Sequence, residues 1–272
     1  MRKKLSVFQI SALAVALSSL LLSVMRVIVL KNNIEINETE TAGQSVVYFI
    51  SRNSETVVFL VFTCCFFVAF AVLAFVLGKR ANSFISFDSS PAVFASSLCG
   101  FMFLSTGLYY SYQYVTGNGE LSKFVISLAM VASSAMFLNM ALQKEGKQRK
   151  SVLYLRFVVC GYAILRLILE FIEQNRRPTN SASAFHIISL IAFMLFIVYD
   201  SKTEFSQASM RPYLASGYSC ILFMLIYAIP NLAITLLYKQ IDPYILFSAA
   251  DISLAFYAFS RVFSVCRVCQ KD

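Results

Sequence analysis

Long apolar stretches, separated by short polar segments, follow one another along almost the whole of this 272-residue chain. An α-helix needs about 20 apolar residues to cross a bilayer core, and about 17 to 25 are tolerated. The pattern therefore predicts an all-α, polytopic transmembrane bundle of eight spanning helices. Their approximate ranges are 6–30, 56–77, 92–115, 122–142, 151–172, 183–199, 213–237 and 243–265.

Composition supports a membrane environment for the whole chain. Hydrophobic residues make up 58% of it and charged residues only 14%, whereas soluble domains carry about 25% charged residues. The connecting loops are too short for a soluble domain, so residues 1–272 are expected to form a single integral membrane domain. The longest loop, 31–55, is acidic at first and becomes apolar at Val46–Ile50. It is expected to be solvated with an interfacial anchor, or to cover a pocket as a lid.

The basic residues predict the orientation of the helices. With the N-terminus in the cytoplasm, more than twice as many Lys and Arg residues lie at the inner helix ends as at the outer ends. Cationic residues are preferentially retained on the cytoplasmic side, so both termini are predicted to be cytoplasmic, in the plasma (cell) membrane. The net charge of +9 lies at helix ends and not along one surface, so no nucleic-acid partner is expected.

The first apolar stretch could also belong to a signal peptide, because Met1-Arg-Lys-Lys precedes it. However, the apolar run continues to Leu30, and no small-residue cleavage site follows it. We expect a retained helix. Its removal would leave seven spans with the C-terminus still inside.

Charged residues within the predicted helices are the most informative chemical feature. A charge at the centre of a membrane helix costs at least about 2.5 kcal/mol, so it usually pairs or faces a cavity. In the fifth helix, Arg166 and Glu170 are four residues apart, a spacing that predicts an ion pair on one face. Arg166 is about 9 Å and Asp251 of the eighth helix about 12 Å from the outer helix ends, at 1.5 Å per residue. The two side chains could therefore meet.

A polar cluster in the outer half, open to the outside, is the predicted ligand-binding site. It consists of Arg166, Glu170, Asp251 and Asn231, of which Asn231 follows the helix-kinking Pro230. Arg166 would hold an anionic group. The alternative is that these charges only hold helices together. Without a cationic partner, Asp251 would be neutral and could carry a proton.

Other polar residues are expected to have simpler roles. Glu173 and His186 are predicted to lie in the interface. Tyr109 and Tyr112, which share a face with Gln113, are predicted to belong to an aromatic belt. Arg26 and Arg156 are expected to extend their side chains to the headgroups. Five of the seven cysteines resemble small packing residues, and Cys266 and Cys269 resemble membrane-edge thiols.

The sequence contains no motif for enzyme chemistry. H-E-x-x-H, G-x-S-x-G, the P-loop and the dinucleotide fingerprint are all missing. A single histidine and one C-x-x-C pair are too few for a structural zinc site. A non-enzymatic protein without metal or cofactor is therefore expected.

Two functions remain open at the level of sequence. The first is binding or transport of a small polar or anionic molecule through the outer polar cluster. The second is a membrane sensor or assembly subunit whose charges hold its helices in place. The expected partners are the lipid bilayer, a small-molecule ligand and a second membrane protein.

Overall fold

The computed structural model describes residues 7–35, 49–50, 54–79, 90–142, 150–176, 181–204, 209–237 and 245–268. Within these ranges the chain forms eight α-helices, each within a few residues of its predicted bounds. They are α1 (Val7–Asn33), α2 (Ser54–Gly78), α3 (Ser90–Val115), α4 (Leu121–Leu142), α5 (Lys150–Arg176), α6 (Ser181–Glu204), α7 (Met210–Leu237) and α8 (Ile245–Val268).

Seven of these helices are long and apolar enough to cross a membrane. The exception is α5, which has 27 residues but whose apolar run is interrupted by Arg156, Arg166 and Glu170. All three are ionisable side chains, which are costly in hydrocarbon unless other protein groups surround them. The structure therefore supports a helical bundle with at least seven candidate spans. Whether α5 could also span a membrane depends on which protein groups surround its charges.

A short antiparallel pair of strands lies between α1 and α2. Strand β1 (Ile34–Glu35) pairs with β2 (Phe49–Ile50), with Ile34 opposite Ile50. The described ends of the 31–55 loop are thus joined to each other next to α1. The predictions of a lid or an interfacial anchor concern residues that lie mostly outside the described ranges.

Six of the helices form a closed ring. Each of α3, α4, α5, α6, α7 and α8 packs against the next one, and α8 packs against α3. In this ring α5 and α8 are not neighbours but face each other across its interior. Outside the ring, α1 packs against α7 and α8, and α2 packs against α7 and α1.

The surface of the bundle is strongly apolar. Of the 18 residues that form the most apolar part of α2, only 17% are buried, whereas 67% of the corresponding residues in α8 are buried. The exposed side chains of α2 include Val61, Phe67, Val72 and Phe75. Soluble proteins rarely expose apolar patches of this extent, whereas a lipid-facing helix does so along its length.

The α3–α4 hairpin is specified by glycines. Gly117 has φ +80, and the Asn118 amide donates to the Gln113 carbonyl and the Gly117 amide to that of Tyr114. These two bonds form a Schellman motif, in which a glycine in the left-handed conformation ends the helix. Along the hairpin, Gly107 lies so close to α4 that an added Cβ would be 2.8 Å from the Ser127 carbonyl oxygen. Small residues at such contacts let membrane helices approach closely.

Candidate functional site

One charged cluster, called the outer cluster after its predicted orientation, is built around a bidentate ion pair across the ring. Arg166 of α5 donates from Nη2 to Asp251 Oδ2 of α8 at 2.7 Å, and from Nη1 to Oδ1 at 2.5 Å. Both side chains are buried. Parallel N–H···O bonds of this kind are among the strongest side-chain contacts in proteins. The predicted meeting of Arg166 and Asp251 is therefore present in the structure.

Aromatic and polar groups surround this pair. Arg166 Nη1 also donates to the Tyr162 hydroxyl at 2.7 Å, and its guanidinium carbon lies 5.3 Å from the centre of the Phe247 ring. His186 of α6 lies with Nε2 3.9 Å from Asp251 Oδ2 and with Nδ1 3.0 Å from Glu170 Oε2. His186 thus joins the α5 and α8 carboxylates into one network.

The positions of two predicted site residues, Glu170 and Asn231, could not be inferred from their spacing in the sequence alone. Glu170 does lie in the outer cluster, where it contacts His186 of α6. Asn231 is half-buried on α7, and its carbonyl accepts a bond from the Thr235 hydroxyl. Within the described ranges its side chain makes no hydrogen bond to the Arg166–Asp251 pair. Because Asp251 has a cationic partner, the condition for it to be a neutral proton carrier is not met.

The interfacial position predicted for His186 is wrong. Its side chain is only 2% exposed, and its ring stacks in parallel on Tyr227 of α7, with centroids 4.1 Å apart. His186 lies in the first turns of α6, but on the face that points into the bundle. Distance from a helix end predicts depth but not direction, which is why the sequence did not reveal this contact.

A second charged cluster, called the inner cluster after the same predicted orientation, lies nearer the other end of the bundle and was not predicted from the sequence. Asp200 of α6 accepts bonds from Arg261 Nε at 3.0 Å and Arg261 Nη2 at 2.8 Å. Arg156 Nη1 lies 3.2 Å from Asp200 Oδ2, and the Tyr257 hydroxyl donates to the same oxygen at 3.2 Å. All four side chains are buried. Helices α5, α6 and α8 are thereby joined a second time.

The inner cluster corrects two sequence predictions, for Arg156 and for the end of the sixth helix. Arg156 does not extend to the headgroups but lies buried beside Asp200, as does Arg261. The predicted sixth helix ended at residue 199, just before the first carboxylate, whereas α6 continues to Glu204. A continuous helix through Asp200, together with arginines within the fifth and eighth helices, was the signal that could have revealed this cluster.

A layer of aromatic side chains separates the two clusters. Each ring helix contributes one buried ring, and centroids of successive rings lie 5.1 to 6.3 Å apart. The layer contains Phe103, Phe137, Tyr162, Phe196, Tyr213 and Tyr257. Tyr162 accepts a bond from Arg166 on the outer side, and Tyr257 donates to Asp200 on the inner side. The layer is therefore anchored at both of its faces.

Arg26 of α1 is also buried, which contradicts its predicted position in the headgroups. Its Nη1 donates to the Ile226 carbonyl of α7 at 2.7 Å. That carbonyl is four residues before Pro230, which has no N–H to donate to it within the helix. The proline on α7 thus creates the acceptor that holds the α1 arginine.

The remaining predictions concern residues at the helix ends and the cysteines. Tyr109 and Tyr112 are exposed near the end of α3, and Gln113 donates to the Tyr109 hydroxyl. Cys99 and Cys220 are buried, whereas Cys64 and Cys65 are exposed on α2 and do not pack in the bundle. The side chains of Glu173 and Cys266 and all of Cys269 lie outside the described part of the chain.

Fold and site together define a helical bundle suited to a membrane, with two charged clusters inside a six-helix ring. No family model, no curated protein and no solved structure matches this chain.

Proposed function

We propose that the chain is a non-enzymatic, integral protein of the plasma membrane that binds or transports a small polar or anionic molecule through its six-helix ring. It has eight spanning helices and both termini in the cytoplasm. The length of α5 supports its role as the eighth span, because 27 helical residues extend for about 40 Å. Burial of Arg156 and Arg166 inside the ring removes the main objection to that role.

The observation that carries the proposal is the stacking of two buried charged clusters on the same two opposed helices. Arg156 and Arg166 are ten residues apart on α5, and Asp251 and Arg261 are ten apart on α8, so each pair spans about 15 Å. Ionisable side chains inside membrane bundles commonly mark substrate or ion pathways. A pathway lined by both clusters would follow the ring interior.

The arrangement suggests how such a pathway would work. In the described state both clusters are internally paired and the aromatic layer lies between them, so the ring is closed at both depths. An anionic ligand entering from outside would compete with Asp251 for Arg166. Separation of this pair, while the inner cluster stays closed, would open the outer half alone.

Ligand-dependent stabilisation of the purified, full-length protein tests this function. Small carboxylates, phosphates and amino acids would be screened by thermal unfolding, and the active ones tested for uptake into proteoliposomes. A ligand at 100 times its Kd raises the free energy of unfolding by about 2.7 kcal/mol. We expect the charge-balanced double variant Arg166→Gln/Asp251→Asn to lose this effect, and the variant Lys31→Gln, which changes an exposed charge, to keep it. Absence of both stabilisation and uptake across the screen would contradict the proposal.

A sensor or assembly subunit is the second candidate, and the bidentate Arg166–Asp251 pair favours it. Two charges that are fully paired with each other can serve only to hold α5 and α8 together. Replacing such a pair with apolar residues is often neutral or stabilising. The double variant Arg166→Met/Asp251→Leu distinguishes the two candidates. Full stability and unchanged ligand response in this variant favour the subunit, whereas full stability with lost response favours binding.

A further inference from the structure

We infer that the outer half of the bundle contains an oxyanion-binding site centred on Arg26, beside Tyr227 and His186, which takes a carboxylate or phosphate group. The inference rests on the proposed function, since it adds Arg26 of α1 to Arg166 as a second arginine that would hold the anionic group of the ligand.

The Arg26 guanidinium is buried without a counterion. Its side chain is 2% exposed, and its guanidinium carbon lies 4.4 Å above the centre of the Phe185 ring. Nη1 is used by the Ile226 carbonyl, whereas Nη2 is buried and has no hydrogen-bond partner in the described part of the chain. Among the described residues no carboxylate forms an ion pair with Arg26.

The other buried arginine of the outer half has a counterion. Arg166 has its charge matched by Asp251 through two short bonds. An unmatched buried cation costs several kcal/mol, because it loses water without gaining a partner. An oxyanion at Nη2 would supply both the missing charge and the missing hydrogen bond, and the flat guanidinium suits carboxylate and phosphate oxygens.

The contacts of Arg26 fix which of its nitrogens faces a ligand. Pro230 leaves the Ile226 carbonyl without its helical donor, and this carbonyl holds Nη1. The Phe185 ring covers one face of the guanidinium. The nitrogen that remains for a ligand is therefore Nη2, in a side chain whose position is already set.

An aromatic stack borders the residues that contact Arg26. His186 follows Phe185 and Tyr227 follows Ile226, so both residues that touch Arg26 are adjacent to the His186–Tyr227 stack. His186 Nδ1 also lies 3.0 Å from Glu170 Oε2, so this stack joins the surroundings of Arg26 to the outer cluster. The charge of the anion would be held by Arg26 Nη2.

Binding of defined anions to Arg26 variants tests the site. Full-length protein in phosphatidylcholine nanodiscs would be titrated with inorganic phosphate and with succinate, and separately placed in nanodiscs containing phosphatidylglycerol. Thermal unfolding would be followed by the loss of helical circular dichroism. The matched variants are Arg26→Gln, which keeps a donor for the Ile226 carbonyl, and Lys31→Gln, which removes an exposed charge from the same helix.

We expect at least one of these anions to stabilise the wild type, and Arg26→Gln to weaken its binding by about tenfold or more. Lys31→Gln should bind as the wild type does. A response to phosphate or succinate identifies a soluble ligand, and a response to phosphatidylglycerol alone identifies a lipid phosphate. Unchanged binding in Arg26→Gln, or no response to any of the three, overturns the inference. Binding that depends on Arg166 and Asp251 but not on Arg26 overturns it while leaving the proposed function intact.

Discussion

Four arginines are buried in the described residues, and each has a different environment. Arg166 is matched by one carboxylate, Arg156 and Arg261 share Asp200, and Arg26 meets a carbonyl and an aromatic face. All four lie on helices, where 1.5 Å per residue gives their depth. Whether a long side chain turns to the headgroups or into the bundle depends on which neighbours it meets, and these come from other helices.

The Arg166–Asp251 pair gives a prediction about stability. Asp251→Asn leaves the Arg166 charge buried without its counterion, so we expect the free energy of unfolding to fall by about 3 to 5 kcal/mol. Arg166→Met/Asp251→Leu removes both charges and should recover most of this loss. Chemical denaturation of the purified protein measures both changes. Equal losses in the single and double variants would show that the ion pair is not what stabilises this contact.

At the scale of single helices, length and apolar content were sufficient to predict that eight helices form. They were not sufficient to predict the residue at which each helix ends. The largest error at a helix end is at Asp200, where the predicted sixth helix stopped although α6 continues to Glu204. In α5 the charges did not stop the helix, because the backbone bonds of a helix are made within it whatever the side chains are. The close contact of α3 with α4 depends on Gly107. This role could not be predicted without knowing that α4 lies beside it.

The glycines of α3 and α5 allow a matched comparison. Gly107→Ala places a Cβ 2.8 Å from the Ser127 carbonyl oxygen, so the two backbones must separate, and we expect a loss of about 1 to 3 kcal/mol in unfolding free energy. The same substitution at Gly161, where nothing lies within 4 Å, should instead stabilise the helix by about 0.5 to 1 kcal/mol. Thermal unfolding compares the two variants. A Gly107→Ala protein as stable as Gly161→Ala would disprove the tight contact.

At the scale of the whole molecule, the ring places charge at two depths with an aromatic layer between. The layer and both clusters use α5 and α8, which face each other without being neighbours in the ring. Charged side chains inside the bundle and apolar ones outside are the distribution that lipid solvent demands. The least apolar helix, α5, thus lies in the ring, and one of the most apolar, α2, lies outside it.

The orientation of the bundle can be tested by labelling introduced cysteines. Asn118 lies in the α3–α4 turn and Lys202 near the end of α6, on opposite sides of the bundle if both termini are cytoplasmic. In intact cells a membrane-impermeant maleimide should label Asn118→Cys, and Lys202→Cys only after permeabilisation. The wild type measures labelling of the native cysteines. The reverse pattern would invert the proposed orientation.

The sequence by itself determined the solvent and the helices, because a run of about 20 apolar residues can satisfy its backbone in lipid only as a helix. It also placed Arg166 and Asp251 at similar depth, since rise per residue is fixed. Only the tertiary structure decided that Arg156, Arg261 and Asp200 meet, that six helices contribute one aromatic layer, and that Arg26 binds the carbonyl freed by Pro230. These contacts join residues far apart in the chain. Which side chains meet depends on the rotation of each helix about its own axis, and packing against the other helices sets this rotation.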